Sequence, residues 1–242
     1  SKNITVTKNN TRQVLNINSL DNTQWNEALL QFKEYNIFQS YEWGELKKSE
    51  GWEPLRITVS DNDCMELTLI AQIVMKKVFG INIAWCPGGP LIITENRDKA
   101  DNALKKLKDI VTEYNLANLR CKTFMEDNDI NNKFFIKFKK PTSTLTSRKT
   151  NIIKMMPSDD FLSQIRKKHR YYIKQSLKNN IDWKIMENDE AGSEFSSIHK
   201  QMQQEKNLDL PIIDIALFAR LLNSSNTHKI FTLAGYKDNK CI

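Results

Sequence analysis

The 242-residue chain has no apolar run approaching the roughly 18 to 20 residues that cross a bilayer, and its start, "SKNITVTKNN", has no apolar signal region. Both absences predict a soluble, cytoplasmic protein. Its four cysteines, Cys64, Cys86, Cys121 and Cys241, are scattered, without a CxxC pair or a Cys/His cluster. That spacing excludes a zinc ribbon and argues against a disulfide framework, so they read as reduced, mostly buried thiols. No metal and no cofactor are expected. Only three histidines are present, His169, His199 and His228, and no Ser/His/Asp or Cys/His constellation is visible, so no catalytic residue is assigned. Nothing matches GxxxxGK[ST], which removes the phosphate loop of nucleotide hydrolases.

What is present is a globular composition with 40% hydrophobic residues, enough to fill real cores in a chain of this length. The 36 Lys and Arg against 29 Asp and Glu leave a net charge of +7. A basic excess favours anionic partners such as phosphates, RNA or an acidic membrane surface, and says nothing about fold.

Hydrophobic periodicity predicts a strand over residues 14–20, then a helix capped at Asp21 with Trp25, Leu29 and Phe32 on one face. Ser40 caps a second helix carrying Trp43 and Leu46 inward, and Gly51 stops it. The segments "EPLRITVSD" and "MELTLIAQIVMKKV" form a hairpin around Asp61, Asn62 and Asp63. "INIAWC" is a third strand, halted by Pro87-Gly88-Gly89-Pro90. Residues 97–114 show helical spacing through Ala100, Leu104, Leu107 and Val111, followed by the strand "LANLRCKTF". The same order then begins again, with a strand "IDWKIMEN", helices over 190–206 and 212–222, and a strand in "HKIFTLAGYKDN". Val14 matches Trp183 and Glu53 matches His228, so one architecture is used twice. The predicted class is α+β with two domains in tandem, over residues 1–148 and 149–242. The second copy stops at the turn that opens its hairpin and is expected to be incomplete. The order resembles the acyl-CoA N-acyltransferase (GNAT) fold.

More specific are "FQSYEWGELKKSEGWEPLRI", "CPGGPLI", "LRCKTFMED" and "RKKHRYYIKQSLKNNIDWKI", in that order and spacing. Together they resemble the Fem family of aminoacyl-tRNA-dependent peptidyltransferases, which are built from two GNAT-like domains. The resemblance covers residues 15 to about 240. It implies transfer of an amino acid from aminoacyl-tRNA to the stem peptide of a peptidoglycan precursor, either UDP-MurNAc-pentapeptide or its lipid-linked form. The latter acceptor implies peripheral contact with the inner face of the plasma membrane. About a dozen residues separate the helix near Ile165 from Trp183, leaving no room for the coiled coil that some members carry. The chain therefore looks FemX-like.

Trp43 and Lys47 are four apart and share a helix face, an aromatic beside an ammonium that suits a nucleotide diphosphate. Read alone, they are better explained as a core tryptophan and a solvated surface lysine. The family has a lysine four residues after a tryptophan on this helix that contacts the precursor diphosphate, and Lys47 matches it. Gly88 and Gly89 let backbone N–H groups approach a ligand, or simply end a strand. In the family a related "RGP" turn borders the acceptor cleft, and here Gly88 stands in place of the arginine. On the helix "SSIHKQMQQEKNLDL" the family's phosphate-binding Thr-x-Arg pair is matched by Gln204 and Lys206, which keeps the charge and loses the guanidinium fork. His199 on that helix reads as packing or surface.

In "IRKKHRYYIKQSLK" six Lys or Arg occur with no acid. Arg166, Arg170, Lys174 and Lys178 recur every four residues as a stripe able to follow an RNA backbone, while Ile165, Tyr172, Ile173 and Leu177 are expected to face a core. The same stripe is compatible with a solvated face. Acetyl-CoA is disfavoured for the first domain, because "PGGPLIITENRDKA" stands where a pyrophosphate loop of the Arg/Gln-x-x-Gly-x-Gly/Ala kind is expected. The alternatives to the peptidyltransferase are another GNAT-type acyltransferase using an acyl-CoA, and a non-catalytic module binding an anionic ligand.

Overall fold

The structure is a computed structural model and describes residues 13–61, 66–93, 95–136, 138–142, 157–186, 188–208, 214–223, 225, 227–238 and 240–241. Cys64 and the tip of the first hairpin lie outside these residues. The chain divides into two units: residues 1–137 with 212–230, and residues 138–211 with 231–242.

The first unit opens with β1 (Gln13–Ile17), α1 (Asn22–Leu29), a 3-10 turn (Ile37–Gln39) and α2 (Tyr41–Ser49). It continues with β2 (Glu53–Asp61), β3 (Leu67–Val78), β4 (Ile81–Pro87), β5 (Leu91–Ile92), α3 (Arg97–Glu113), β6 (Leu116–Lys122) and α4 (Asp129–Phe134). The sheet order is β1-β2-β3-β4-β6, with β5 paired to β3. Every pairing is antiparallel except β4 with β6, which α3 connects as parallel neighbours.

Local chemistry accounts for the helix boundaries. Asp21 and Gln24 form a reciprocal capping box on α1. The Ser40 hydroxyl accepts from Trp43 N to start α2, and Gly51, at φ 80°, follows its end. Asn96 caps α3 by accepting from Lys99 N. The buried stripe of α3 is Ala100, Ala103, Leu104, Leu107 and Ile110. Val111, expected inside, is only half-buried, because Ile110 takes that place on the inner face.

β2 and β3 are buried along most of their length because helices cover both faces, and β2 meets this with alternating Leu55, Ile57, Val59 and Arg56, Thr58, Ser60 while β3 is largely apolar. Ile70 on one face joins Trp25, Ala28, Leu29, Phe32 and Leu91 in a core under α1. The alternate residues Leu55, Ile57, Leu69, Ala71 and Ile73 are also buried, and α3 packs on β2, β3 and β6. α8 (Ile215–Asn223) belongs to this unit as well, although sequence order places it in the second repeat. Its Phe218 and Leu222 share a core with Trp43 and Leu46 of α2.

The second unit contains α5 (Ser158–Gln164), α6 (Lys167–Ser176), β7 (Asp182–Met186), α7 (Asn188–Lys206), β8 (Thr232–Lys237) and β9 (Lys240–Cys241). Its antiparallel order, β7-β8-β9, repeats the β1-β2-β3 order of the first unit. A small core of Met186, Ala191 and Ala234 lies beneath α7, with Tyr236 and Cys241 against it.

One polar side chain sits at the centre of the first unit. β3 changes partner between Val74, opposite Trp85 of β4, and Ile70, opposite Leu91 of β5. In that gap the Gln39 amide takes the place of a strand. Its Oε1 accepts from Gln72 N at 2.7 Å, and its Nε2 donates to Gln72 O at 3.1 Å and Pro87 O at 2.7 Å. Gln39 is fully buried, so removing its amide leaves several backbone groups without partners at about 1–3 kcal/mol each. Gln39→Leu is therefore expected to lower the urea unfolding free energy by about 3 kcal/mol. Gln31→Leu, at an exposed position, is expected to change it by less than about 0.5 kcal/mol.

Candidate functional site

Residues 36–40 organise one end of the first unit. The Asn36 carboxamide accepts from Phe38 N at 3.2 Å and donates to Gly88 O at 2.8 Å. Gln39 holds Pro87 O as described, while its own carbonyl accepts the Trp25 indole N–H at 2.8 Å. Gln72 Nε2 then donates to Ser40 O at 2.7 Å, and Gln72 Oε1 accepts from Arg56 Nε at 3.0 Å. Arg56 is nearly buried, lies 3.5 Å from the Tyr41 ring centroid and pairs with Glu45 Oε1 at 2.8 Å. The pairing leaves the guanidinium neutralised against α2.

The turn at residues 87–90 is gripped by these amides. Gly88 has φ 68°, and a Cβ there would collide with the Asn36 side chain. A Cβ on Gly89 would stand 2.8 Å from Gln39 Cδ. Both glycines thus permit close packing of protein side chains, and the Gly88 carbonyl is already engaged by Asn36.

Trp43 is buried, with its ring edge-on to Phe38 at 4.9 Å and to Phe218 at 5.7 Å. Its indole N–H has no hydrogen-bond partner among the described residues. Lys47 Nζ lies 4.7 Å from the Trp43 ring centroid and 2.6 Å from Glu50 Oε2. The ammonium is thus largely covered, with a 12% exposed side chain, and is held on α2 by the ring and the carboxylate together. Phe38 also meets Phe124 at 5.8 Å, and Lys122 Nζ lies 6.0 Å from the Phe124 ring. A string of aromatic rings therefore runs from Lys47 to Lys122, beside the carboxyl ends of the parallel strands β4 and β6, where Pro87 pairs with Lys122. Parallel α/β units place ligands at that end. A concavity of about 260 Å³ near the other end of β4 is lined by Glu53, Met75, Lys76, Lys77, Asn82 and Tyr114, none of them a candidate residue.

Among the sequence-predicted residues, Trp43, Lys47, Gly88 and Gly89 are thus joined through residues 36–40. Lys206 lies in the other unit, exposed in the last turn of α7. The basic stripe is only partly helical: α6 holds Arg170 and Lys174, Arg166 is its N-cap and Lys178 lies past its end. Arg170 Nη1 donates to Ser163 O at 2.9 Å and so closes the end of α5. The expected core face of α6 is not found. The helix buries no residue, and Tyr172 and Leu177 are 54% and 76% exposed. Four-residue spacing creates an apolar stripe without supplying a surface to cover it. His199 stacks on Phe195 at 5.5 Å, as expected for a packing histidine.

Asn36, Phe38, Gln39, Lys122 and Phe124 escaped sequence reasoning. The available signal was polar Asn36 and Gln39 flanking the apolar pair Ile37-Phe38. A second polar chain also went unseen. Glu42 is buried at 1% exposure and accepts from Asn26 Nδ2 at 2.9 and 3.2 Å. Asn26 reaches Ser225 Oγ at 3.5 Å, Ser225 reaches Thr227 Oγ1 at 2.9 Å, and Thr227 reaches His228 Nδ1 at 3.0 Å. Burial lowers the His228 pKa, and the Glu42 carboxylate opposes that shift. No group of three His, Cys, Asp or Glu able to hold a metal occurs among the described residues. No described helix is long and apolar enough to cross a membrane.

This geometry defines an α+β chain with GNAT-like domains, each opening on the same strand order. The fold is shared with the crystal structure of FemX, at a TM-score of 0.64 and 17% identity over 86% of this chain. The chain spans 54% of that structure's length. An aminoglycoside acetyltransferase from an uncultured soil metagenomic sample, solved with trehalose, aligns over 59% of this chain at 12% identity and a TM-score of 0.34. No protein-family pattern and no curated protein matches the sequence.

The His228 shift has a definite sign. A histidine held neutral by burial binds its proton less readily folded than unfolded, so its contribution to stability is present above pH 6.5 and is lost as the pH falls below it. The urea midpoint is expected to fall between pH 7.5 and 5.5 in the parent, and His228→Gln is expected to flatten that slope. Equal slopes in parent and variant would remove His228 from the account.

Proposed function

We propose that the chain is a FemX-like aminoacyl-tRNA-dependent peptidyltransferase that builds the peptidoglycan interpeptide bridge. Its acceptor is the stem peptide of UDP-MurNAc-pentapeptide or of the lipid-linked precursor, and its place is the cytoplasm or the inner face of the plasma membrane. The observation that carries this reading is the Trp43–Lys47 pair, which occupies the positions that the Fem resemblance gives to the diphosphate contact. The FemX-like fold supports it.

In this reading a precursor diphosphate meets Lys47 above the Trp43 ring. Glu50 is the competitor, because its carboxylate already holds Nζ and repels phosphate. The backbone turn at Gly88 and Gly89 and the rings of Phe38 and Phe124 border the same place. Lys206, on α7, is the further cation that the resemblance gives to the precursor. Arg166, Arg170, Lys174 and Lys178 contact the tRNA backbone. The aminoacyl ester is already activated, so attack by the acceptor amine needs proton removal and a place for the developing oxyanion rather than an enzyme nucleophile. An extended acyl-CoA chain adding as a strand between β4 and β6 has no open edge, since those strands stay paired from Asn82 to Pro87.

The protein is expected to transfer a labelled amino acid from charged tRNA to UDP-MurNAc-pentapeptide. Consumption of acetyl-CoA with an amine, and no transfer from tRNA, would replace this reading with a GNAT-type acyltransferase. Precursor binding without transfer from any donor would favour a binding module. Lys47→Ala is expected to weaken precursor binding by about tenfold or more, through removal of a charged hydrogen bond, and Glu50→Gln to tighten it a few-fold. Lys48→Ala, one position along and exposed, is the control. Unchanged affinity in Lys47→Ala would remove the site.

Alanine at Arg166, Arg170, Lys174 and Lys178 together is expected to reduce the salt dependence of tRNA binding by roughly one unit of slope for each phosphate no longer neutralised. A filter-binding titration across salt concentrations checks it, and an unchanged slope would assign those cations to a solvated face.

A further inference from the structure

Cys86 and Cys121 are register partners across the parallel strands β4 and β6. Paired strands run about 4.7–4.9 Å apart, inside the Cα separation of about 4.4–6.8 Å that a disulfide spans. Partners in register also point their side chains to the same face of the sheet. The two thiols are therefore neighbours on that face, and the Cys86 sulfur accepts from Gln39 Nε2 at 3.7 Å. Both are free thiols, with Cys86 fully buried and Cys121 partly exposed. That asymmetry suits a two-step exchange, with an accessible thiol to react first and a shielded neighbour to resolve the product. Burial, with the Cys121 thiol beside it, pushes the Cys86 pKa well up, so Cys86 is the member that stays protonated until its neighbour has reacted.

We infer that Cys86 and Cys121 form a redox-active dithiol, a modification site that low-molecular-weight disulfides close reversibly into an intramolecular disulfide. The Cys121 thiolate attacks one sulfur of the small disulfide, whose S–S bond breaks. The departing thiolate takes up the proton that Cys121 released. Cys86 then gives up its proton and attacks the Cys121 sulfur, displacing the second small thiol. Two protein thiols are oxidised, and one small disulfide is reduced to two thiols. Closure does not require the oxidant to reach Cys86, because the second attack occurs across the strand pair. The bond so formed is opened again by exchange with a small thiol, which returns both cysteines to the reduced state. The Gln39 amide that meets the Cys86 sulfur also holds the Pro87 carbonyl.

The test uses the full chain carrying Cys64→Ser and Cys241→Ser, so that only the pair remains. After incubation with oxidised glutathione, the protein is denatured, alkylated with iodoacetamide and weighed. Loss of both alkylatable thiols without added glutathione, reversed by dithiothreitol, is the expected result. A peptide joined through Cys86 and Cys121 identifies the bond. Adding Cys86→Ser is expected to stop the reaction at glutathione on Cys121, and adding Cys121→Ser to leave Cys86 unmodified. If both thiols remain alkylatable, or if glutathione stays on Cys121 while Cys86 remains free, the inference is overturned. That decision comes from the protein in which the pair is intact, so it does not depend on how Cys86→Ser folds.

Discussion

The first unit depends on a gap in hydrogen bonding that one side chain fills. β3 leaves β4 and takes up β5, and between the two registers the backbone of Gln72 faces a strand that is not there. A buried N–H and C=O without partners cost several kcal/mol, so something must stand in for the missing strand. The Gln39 amide does so with one acceptor and one donor, and the same nitrogen holds Pro87 O. Its backbone carbonyl receives the Trp25 indole, so one residue ties α1, β3, β4 and the approach to α2.

From that constraint the arrangement of the candidate site follows. Once Gln39 is fixed, Phe38 is aimed at Trp43 and Phe124, Ser40 is placed to cap α2, and Asn36 is placed to hold Gly88 O. Lys47 is then one turn along the capped helix from Trp43, with its ammonium over the ring. The amides and the glycines are complementary, because the turn approaches Asn36 and Gln39 only where no Cβ intervenes. The Gly-Gly pair is therefore first an adaptation to the protein's own side chains, and any ligand role for it is exercised from the opposite side of the turn.

Electrostatics in this unit are local. Arg56 pairs with Glu45 and Lys47 with Glu50, so an anion that reaches Lys47 must compete with a carboxylate already on it. Glu42 is buried and leans on Asn26, whose amide also reaches the Ser225–Thr227–His228 chain. That chain and α8 bring distant sequence onto α1 and α2 through both apolar packing and buried polar contacts.

Periodicity and cap residues were enough to place the main helices and strands, because they act over a few neighbouring residues. Asp21, Ser40 and Gly51 mark helix ends by hydrogen bonds and backbone preference that need no distant partner. The repeated order was legible for the same reason, and the strand order β7-β8-β9 matches it. The Trp43–Lys47 face followed from helical geometry alone. Other features depend on what arrives from far along the chain. No local signal assigns α8 to the first unit, pairs Cys86 with Cys121, or sets Gln39 opposite a gap in a sheet. Nor does it leave α6 without a buried face, since an apolar stripe shows only that burial is possible. The sequence by itself thus determined the elements, their order and the residue types offered at each surface, because those are short-range properties. Which surfaces meet, and therefore which amide is structural and which thiols are neighbours, was decided only by the tertiary structure, through contacts between residues that are distant in the chain.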